Sequence, residues 1–448
     1  MRLFSVTLFV SLILVGGASR CHATLATDCT LYAAVSGNDI NPGTSPSEPK
    51  TLHGAAMAAQ PGAVVCLEGG TYYLTQSFSP PRNGTAKAYI TYKAYGDTTP
   101  IFVWKGGPQA GTFPVMFNLD STAGFPNGHA YLKFIGLELD GKNAALDGFF
   151  ARYSHHLVFA WNHIKNTGGS GIGLVSCDYV TSDHNWIWHN GYIATGTSAI
   201  SYNGTEFYDN YAGFHNIISN NVVAGQQDAG NTDGNGIIFD LSGNRLTGIS
   251  NANTPPALIV NNVIYENSAD CIVNYTVSRI WVVNNTCYKN VLNTALQAGH
   301  IWETGDNRAQ LDWYVNNIVY AWKSSIPSYF SHNSNMGQWF RNMYFVGPLA
   351  LTPTNPSQFF NQDPKFVNPP YVNPTADGQW ADAPYVDQVP SGFELQSSSP
   401  AIGKGVDPTT LPNVPAAILL DLKKYIYKDI RGNARPAGGP FDLGAFQH

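Results

Sequence analysis

The chain is poor in charge. Lys, Arg, Asp and Glu make up only 12% of its 448 residues, and long periodic stretches of Ala, Leu, Glu and Lys are missing. That excludes a coiled coil or a helical bundle. There is no basic excess either: 24 Lys and Arg stand against 30 Asp and Glu, for a net charge of −6. The sequence therefore offers no electrostatic face for nucleic acid. No stretch after the N-terminal segment is long and apolar enough to span a membrane, and the histidines form no cluster of the kind that binds zinc.

The apolar run that begins at Leu3 and ends at Val15 follows Met1-Arg2 and precedes Gly16-Gly-Ala-Ser19. It is too short for a bilayer span and reads as a secretory signal peptide, residues 1–23, cleaved after Ala23 in Cys21-His-Ala23. The mature chain is expected to be extracellular or periplasmic, soluble and monomeric. Of the six cysteines, Cys21 leaves with the signal, and Cys29 and Cys66, both beside strand-like runs, are expected to form a disulfide. Cys177, Cys271 and Cys287 read as small buried apolar residues. Asn83, Asn203, Asn274 and Asn284 open N-glycosylation sequons, which an Asn-rich chain produces easily.

What the sequence does have is 44% hydrophobic residues, 44 Gly and 24 Tyr, with 10 Trp, a composition of many short strands and turns. From about residue 130 one theme repeats, a β-branched or aromatic run closed by Asn and followed by another short apolar run. It appears at Asn162, Asn185, Asn221, Asn262, Asn285 and Asn317. Asn suits such a corner because it tolerates a left-handed backbone and its amide can bond to an Asn stacked above and below. Between these signatures lies a second strand, as in Gly171-Ile-Gly-Leu-Val, Gly236-Ile-Ile-Phe and Cys271-Ile-Val-Asn-Tyr. Two or three short strands per coil, stacked in register, make an all-β parallel β-helix. It is expected over residues 24–346, with residues 347–448 as irregular loops and a closing coil packed on it.

The mature N-terminus carries Tyr32-Ala-Ala-Val-Ser-Gly-Asn-Asp-Ile-Asn-Pro-Gly-Thr44, Pro49-Lys-Thr-Leu, Ala55-Ala-Met-Ala-Ala-Gln-Pro-Gly-Ala-Val-Val-Cys-Leu67 and Gly69-Gly-Thr-Tyr72. It closely resembles the opening of secreted right-handed parallel β-helix proteins, including family 9 pectate lyases. The resemblance implies a short helix capping a right-handed solenoid. Ser399-Pro-Ala-Ile-Gly-Lys-Gly405, Asp429-Ile-Arg-Gly-Asn-Ala-Arg-Pro436 and Phe441-Asp-Leu-Gly-Ala-Phe446 are similar to the closing segment of the same superfamily.

Chemistry concentrates in Asp228-Ala-Gly-Asn-Thr-Asp-Gly-Asn-Gly-Ile-Ile-Phe-Asp240, where three carboxylates and two Asn lie within thirteen residues. If Ile237-Ile-Phe239 is a buried strand, Asp233 and Asn235 stand at its entrance and Asp240 at its exit. The longest insertions flank this stretch and bring Tyr192, Tyr202, Tyr208 and Tyr211 near it. A groove there would take an extended polysaccharide, with Tyr202, His215, Asn235 and His300 as substrate-binding residues. For β-elimination on a uronate polymer, Asp228, Asp233 and Asp240 are candidate Ca²⁺ ligands, since hard cations favour clustered oxygens. The lyase resemblance implies that Ca²⁺ cluster and a Lys base on a neighbouring coil: Lys289, or Lys165 after it. For inverting hydrolysis, Asn231-Thr-Asp-Gly234, Ala269-Asp-Cys271 and Gly299-His-Ile301 resemble polygalacturonase motifs, which makes Asp233 a candidate with Asp240 or Asp270 as partner. A non-catalytic carbohydrate-binding β-helix is the reading from a different class.

Overall fold

The computed structural model describes residues 28–107, 114–240, 253–293, 295–296, 302–332, 337–349, 357–370 and 389–448. The signal segment, His300 and the glycine-linked stretch after Asp240 lie outside them. Twenty-seven strands among the described residues form one parallel stack, the parallel β-helix expected from the Asn theme, right-handed as the resemblance implied.

Each coil runs through three short strands. In one coil, Ile280–Val283 lies on a first face, Thr286–Tyr288 on a second and Thr304–Asn307 on a third. In the middle of the stack neighbouring coils pair in register: Trp281 sits between Leu258 and Trp313, Thr286 between Val263 and Ile318, and Ile237 between Ile200 and Ile272. Side chains alternate across each strand, so Ile237 and Phe239 fill the lumen while Ile238 and Asp240 point outward.

The corner between first and second faces explains the asparagines, and it divides their work between two residues. The first, represented by Asn220, Asn261 and Asn284, takes a left-handed backbone with φ of 55°, 56° and 54°. The second builds the ladder: Asn221 Nδ2 donates to Asn262 Oδ1 at 2.9 Å, and Asn262 Nδ2 donates to Asn285 Oδ1 at 2.9 Å. The same Oδ1 atoms accept the backbone N–H of the rung before, from Asn221 at 2.8 Å and from Asn262 at 2.9 Å. The ladder amides of Asn221 and Asn262 are thus paired where water cannot reach them. A second ladder, not apparent from sequence, occupies the corner between second and third faces, where Asn267 Nδ2 donates to Asn290 Oδ1 at 2.8 Å.

At the N-terminal end the helix Leu52–Ala58, capped by Thr51, buries Ala55 and Ala56 over the first coil. Cys29 and Cys66 are joined there, as expected. Cys271 and Cys287 depart from expectation. They form a second disulfide with Cα atoms 5.7 Å apart, because both side chains enter the lumen from adjacent coils. Among the described residues Cys177 alone remains a buried thiol, and burial pushes it up to about 12. The C-terminal segment also differs from the irregular loops expected. It contains the helix Ala416–Tyr425, whose Ile418 and Leu422 pack outside the first face on Leu258, Trp281 and Trp313. Phe393, Ile430 and Leu443 cover the second face.

Candidate active site

The strand Ile237–Asp240 lies on the third face, with Asp233 before it and Asp240 at its end. The turn that leads into it is built by Asp228. One Asp228 oxygen accepts the Thr197 N–H at 3.1 Å, and the other accepts from Thr232 N at 2.9 Å, Thr232 Oγ1 at 3.0 Å and Asp233 N at 3.3 Å. Asp228 therefore closes a turn, and its lone pairs are committed to that task.

Asp233 is held differently. Its Oδ1 accepts from Asn235 Nδ2 at 2.9 Å, and Asn235 in turn is fixed by Ser198 Oγ at 3.0 Å and by the Asp270 N–H at 3.1 Å. Burial, and then the charges of Asp228 and Asp240, push the Asp233 carboxyl up to about 7, against which the Asn235 hydrogen bond works only partly. Asp240 lies half-buried in the outward row of the third face, between Asn203 and Tyr275. The structure thus brings together a carboxyl that carries a proton near neutrality and a second carboxylate whose field acts on it. That is an arrangement able to give and take protons.

Other candidates are placed elsewhere. Asp270 stands one coil further on, fully buried, with burial pushing it well above the carboxylate range. Its neighbour Glu303, which sequence reasoning missed, is also fully buried and is pushed up to about 8. Both lie beneath the surface, raised by burial, rather than facing a substrate. Only superposing Glu303 on Cys271 across the coil register could have revealed it. Asn235 is likewise buried, so it positions Asp233 instead of binding substrate. Tyr202 must be corrected: it points into the lumen, stacks on Phe239 at 4.5 Å and donates to Val180 O at 3.2 Å. Lys289 lies at the same corner as Asp233, its ammonium over the rings of Tyr288 and Tyr320, lowered by burial and raised by the charge of Glu266. Lys165 pairs with Glu138 at 2.7 Å. His300 lies outside the described residues.

His215 belongs to another corner, between third and first faces. Its Nδ1 meets Asp178 Oδ2 at 2.8 Å and its Nε2 meets Tyr211 O at 2.8 Å. Both ring nitrogens face acceptors, so the ring is held as the cation, and the buried Asp178 carboxylate raises His215 against its own desolvation. This pair anchors the loop that carries Tyr208 and Tyr211, which are therefore not beside Asp233. Stability from the pair is complete below the ordinary histidine value of 6.5 and is lost as pH rises through the higher folded value. Melting curves are expected to fall in midpoint over that range, and His215→Gln to flatten the dependence.

A calcium ion implied by the lyase resemblance does not fit these carboxylates. The oxygens of Asp228 are engaged by the turn, one Asp233 oxygen is taken by Asn235 Nδ2, and no group of three or more His, Cys, Asp or Glu among the described residues could hold a metal.

No family model matches the chain. Over 308 residues it is 25% identical to pectate lyase L of Dickeya dadantii (strain 3937), across 62% of this chain and 69% of that protein. Over 314 residues it is 26% identical to pectate lyase L of Dickeya chrysanthemi, with the same coverage of 62% and 69%. The crystal structure of pectate lyase Pel9A superposes with a TM-score of 0.51 at 17% identity, over 95% of this chain and 98% of that one. The chain has the right-handed parallel β-helix fold of the pectate lyases, and its sequence likeness to them supports a polysaccharide lyase or a related carbohydrate-active protein.

Proposed function

We propose that the protein cleaves a uronate-containing polysaccharide laid along the third face, with Asp233 as the group that carries the proton. The observation that supports this most directly is the Asp233 carboxyl, pushed up to about 7 in a turn that opens a third-face strand. In an elimination, a neutral Asp233 donates a hydrogen bond to the uronate carboxylate and offsets its charge, which makes the C5 proton more acidic. Asp240 accepts that proton, the C4–C5 double bond forms as the C4–O bond breaks, and the proton held by Asp233 passes to the leaving oxygen. The likeness to pectate lyase L supports elimination over other routes. Inverting hydrolysis is the second reading, favoured by the pairing of one protonated and one charged carboxyl, Asp233 and Asp240. The two disulfides support action in an oxidising compartment outside the cytoplasm. No helix among the described residues is long and apolar enough to cross a membrane.

The test is to mix the purified chain with a panel of uronate polymers, with and without a chelator, and follow both the ultraviolet absorbance of unsaturated products and new reducing ends. Absorbance that rises equally with and without chelator is the expected result, because the side chains around Asp233 do not form a calcium cage. A rise abolished by chelator would return calcium to the site. Reducing ends without absorbance would establish hydrolysis, and binding without either product would establish a carbohydrate-binding protein.

A further inference from the structure

The left-handed corner position that precedes the Asn ladder is filled in successive coils by Gly136, Trp161, His184, Asn220, Asn261, Asn284, Asn316 and, at the end, Arg341, with φ between 53° and 73°. Gly and Asn belong there, since a left-handed backbone disfavours large side chains. In the covered coils the Asn amides also tie down the C-terminal segment, as Asn261 Nδ2 does by donating to Lys428 O at 2.9 Å. Trp161 has neither reason to be where it is. It takes φ of 59° with a bulky ring and leaves 46% of itself exposed, the one tryptophan among the exposed large apolar side chains described. A strained position that holds a costly, solvent-facing residue points to a task other than folding.

The indole is also prepared on one side only. It lies on His184 at 4.0 Å between centroids and 12° between planes, and His184 is itself held by Asp183 at 2.8 Å. On the opposite side the register brings Gly136, which has no side chain, and then Ala94, whose Cβ lies 3.1 Å from where a Gly136 Cβ would be. The rigid ring therefore faces a gap about one coil deep, roughly 4.8 Å, the spacing of paired strands and the thickness of a sugar ring. It lies two coils from Asp233 and one corner away.

We propose that Trp161, backed by His184 and open over Gly136, is a carbohydrate-stacking site outside the cleavage site, which holds a pyranose of the polymer by its C–H face. Its ligand class rests on the polysaccharide reading above; its location does not. The site needs no conformational change, because His184 fixes the indole before the ligand arrives.

Affinity electrophoresis through gels cast with polygalacturonate, or with a neutral glucan, tests it. Trp161→Asn is the informative variant, since Asn is what this position carries in later coils. It is expected to melt at or above the wild-type temperature, to bind the retarding polymer about tenfold more weakly, and to cleave short oligosaccharides at the wild-type rate. Trp161→Phe should retain part of the retardation, and Asp233→Asn all of it. Retardation unchanged in Trp161→Asn, or a wild type retarded by neither gel, would overturn the proposal. Retardation that depends on Trp161 in a protein that cleaves nothing would uphold it while the enzymatic reading falls.

Discussion

Asp233→Asn is expected to lower turnover of a cleaved uronate polymer about a thousandfold, the range in which a positioned proton-transfer group usually acts. The substitution is nearly isosteric, and its side-chain oxygen can still accept from Asn235 Nδ2, so the turn set by Asp228 should survive. The loss would therefore be one of kcat rather than of fold. Wild-type activity should fall as pH rises through about 7, where Asp233 gives up its proton. Asp240→Asn removes the base along with one of the charges that raise Asp233, so turnover should fall about as far while the Asp233 titration, followed by NMR, moves to lower pH. A merely structural Asp240 would move that titration and leave turnover in place. Stability carries the same signature. Because the folded value of Asp233 lies above its ordinary 3.8, the folded state loses ground as pH rises through the interval between them. Asp233→Asn should remove that dependence. Full activity in this variant would sink the proposed site.

Asn262→Ala is expected to cost about 4 kcal/mol, read from the urea midpoint at constant m. The side chain is fully buried, and its deletion leaves Asn221 N, one hydrogen of Asn221 Nδ2 and Ile218 O without their bonds at 2.8, 2.9 and 3.0 Å. Each buried orphan costs about 1–3 kcal/mol, and no solvent reaches the corner to replace the lost partner. The adjacent Asn220→Ala should cost only about 2 kcal/mol, the strain of a left-handed alanine and the part-buried hydrogen bond from Asn220 Nδ2 to Asp183 Oδ1 at 2.9 Å. Equal losses at the two positions would refute the division of work between them. Since each coil is stabilised through its neighbours, the Asn262 variant should also open the solenoid near its middle.

The same corner separates what was legible in the sequence from what was not. The Asn themes at 162, 185, 221, 262, 285 and 317 announced a solenoid, because a ladder needs one residue type at one phase of every coil, and that leaves a periodic trace. The short strand Ile237–Asp240 and the place of Asp233 before it were equally readable, being local. Sequence reasoning gave both Asn tasks to one residue, since only backbone angles distinguish Asn220 from Asn221. It also scattered the aromatic candidates. Whether Tyr202 points in or out depends on strand phase, and its true neighbour Phe239 lies one coil away. Tyr208, Tyr211 and His215 follow Asp178 to a different corner through contacts that span about thirty residues or more.

By itself, then, the sequence determined the repeat, the fold class and the one short stretch where carboxylates gather, all of which follow from residue type and spacing along the chain. Tertiary structure alone decided that Cys271 meets Cys287, that Asp228 is spent on a turn, that Asp270 and Glu303 are buried and raised by that burial, and that Asp233 is raised. Those outcomes rest on which side chains of adjacent coils share a corner and how much water reaches them. In a solenoid that is set by the register between coils and by the lengths of the loops that separate them, quantities that no local pattern encodes.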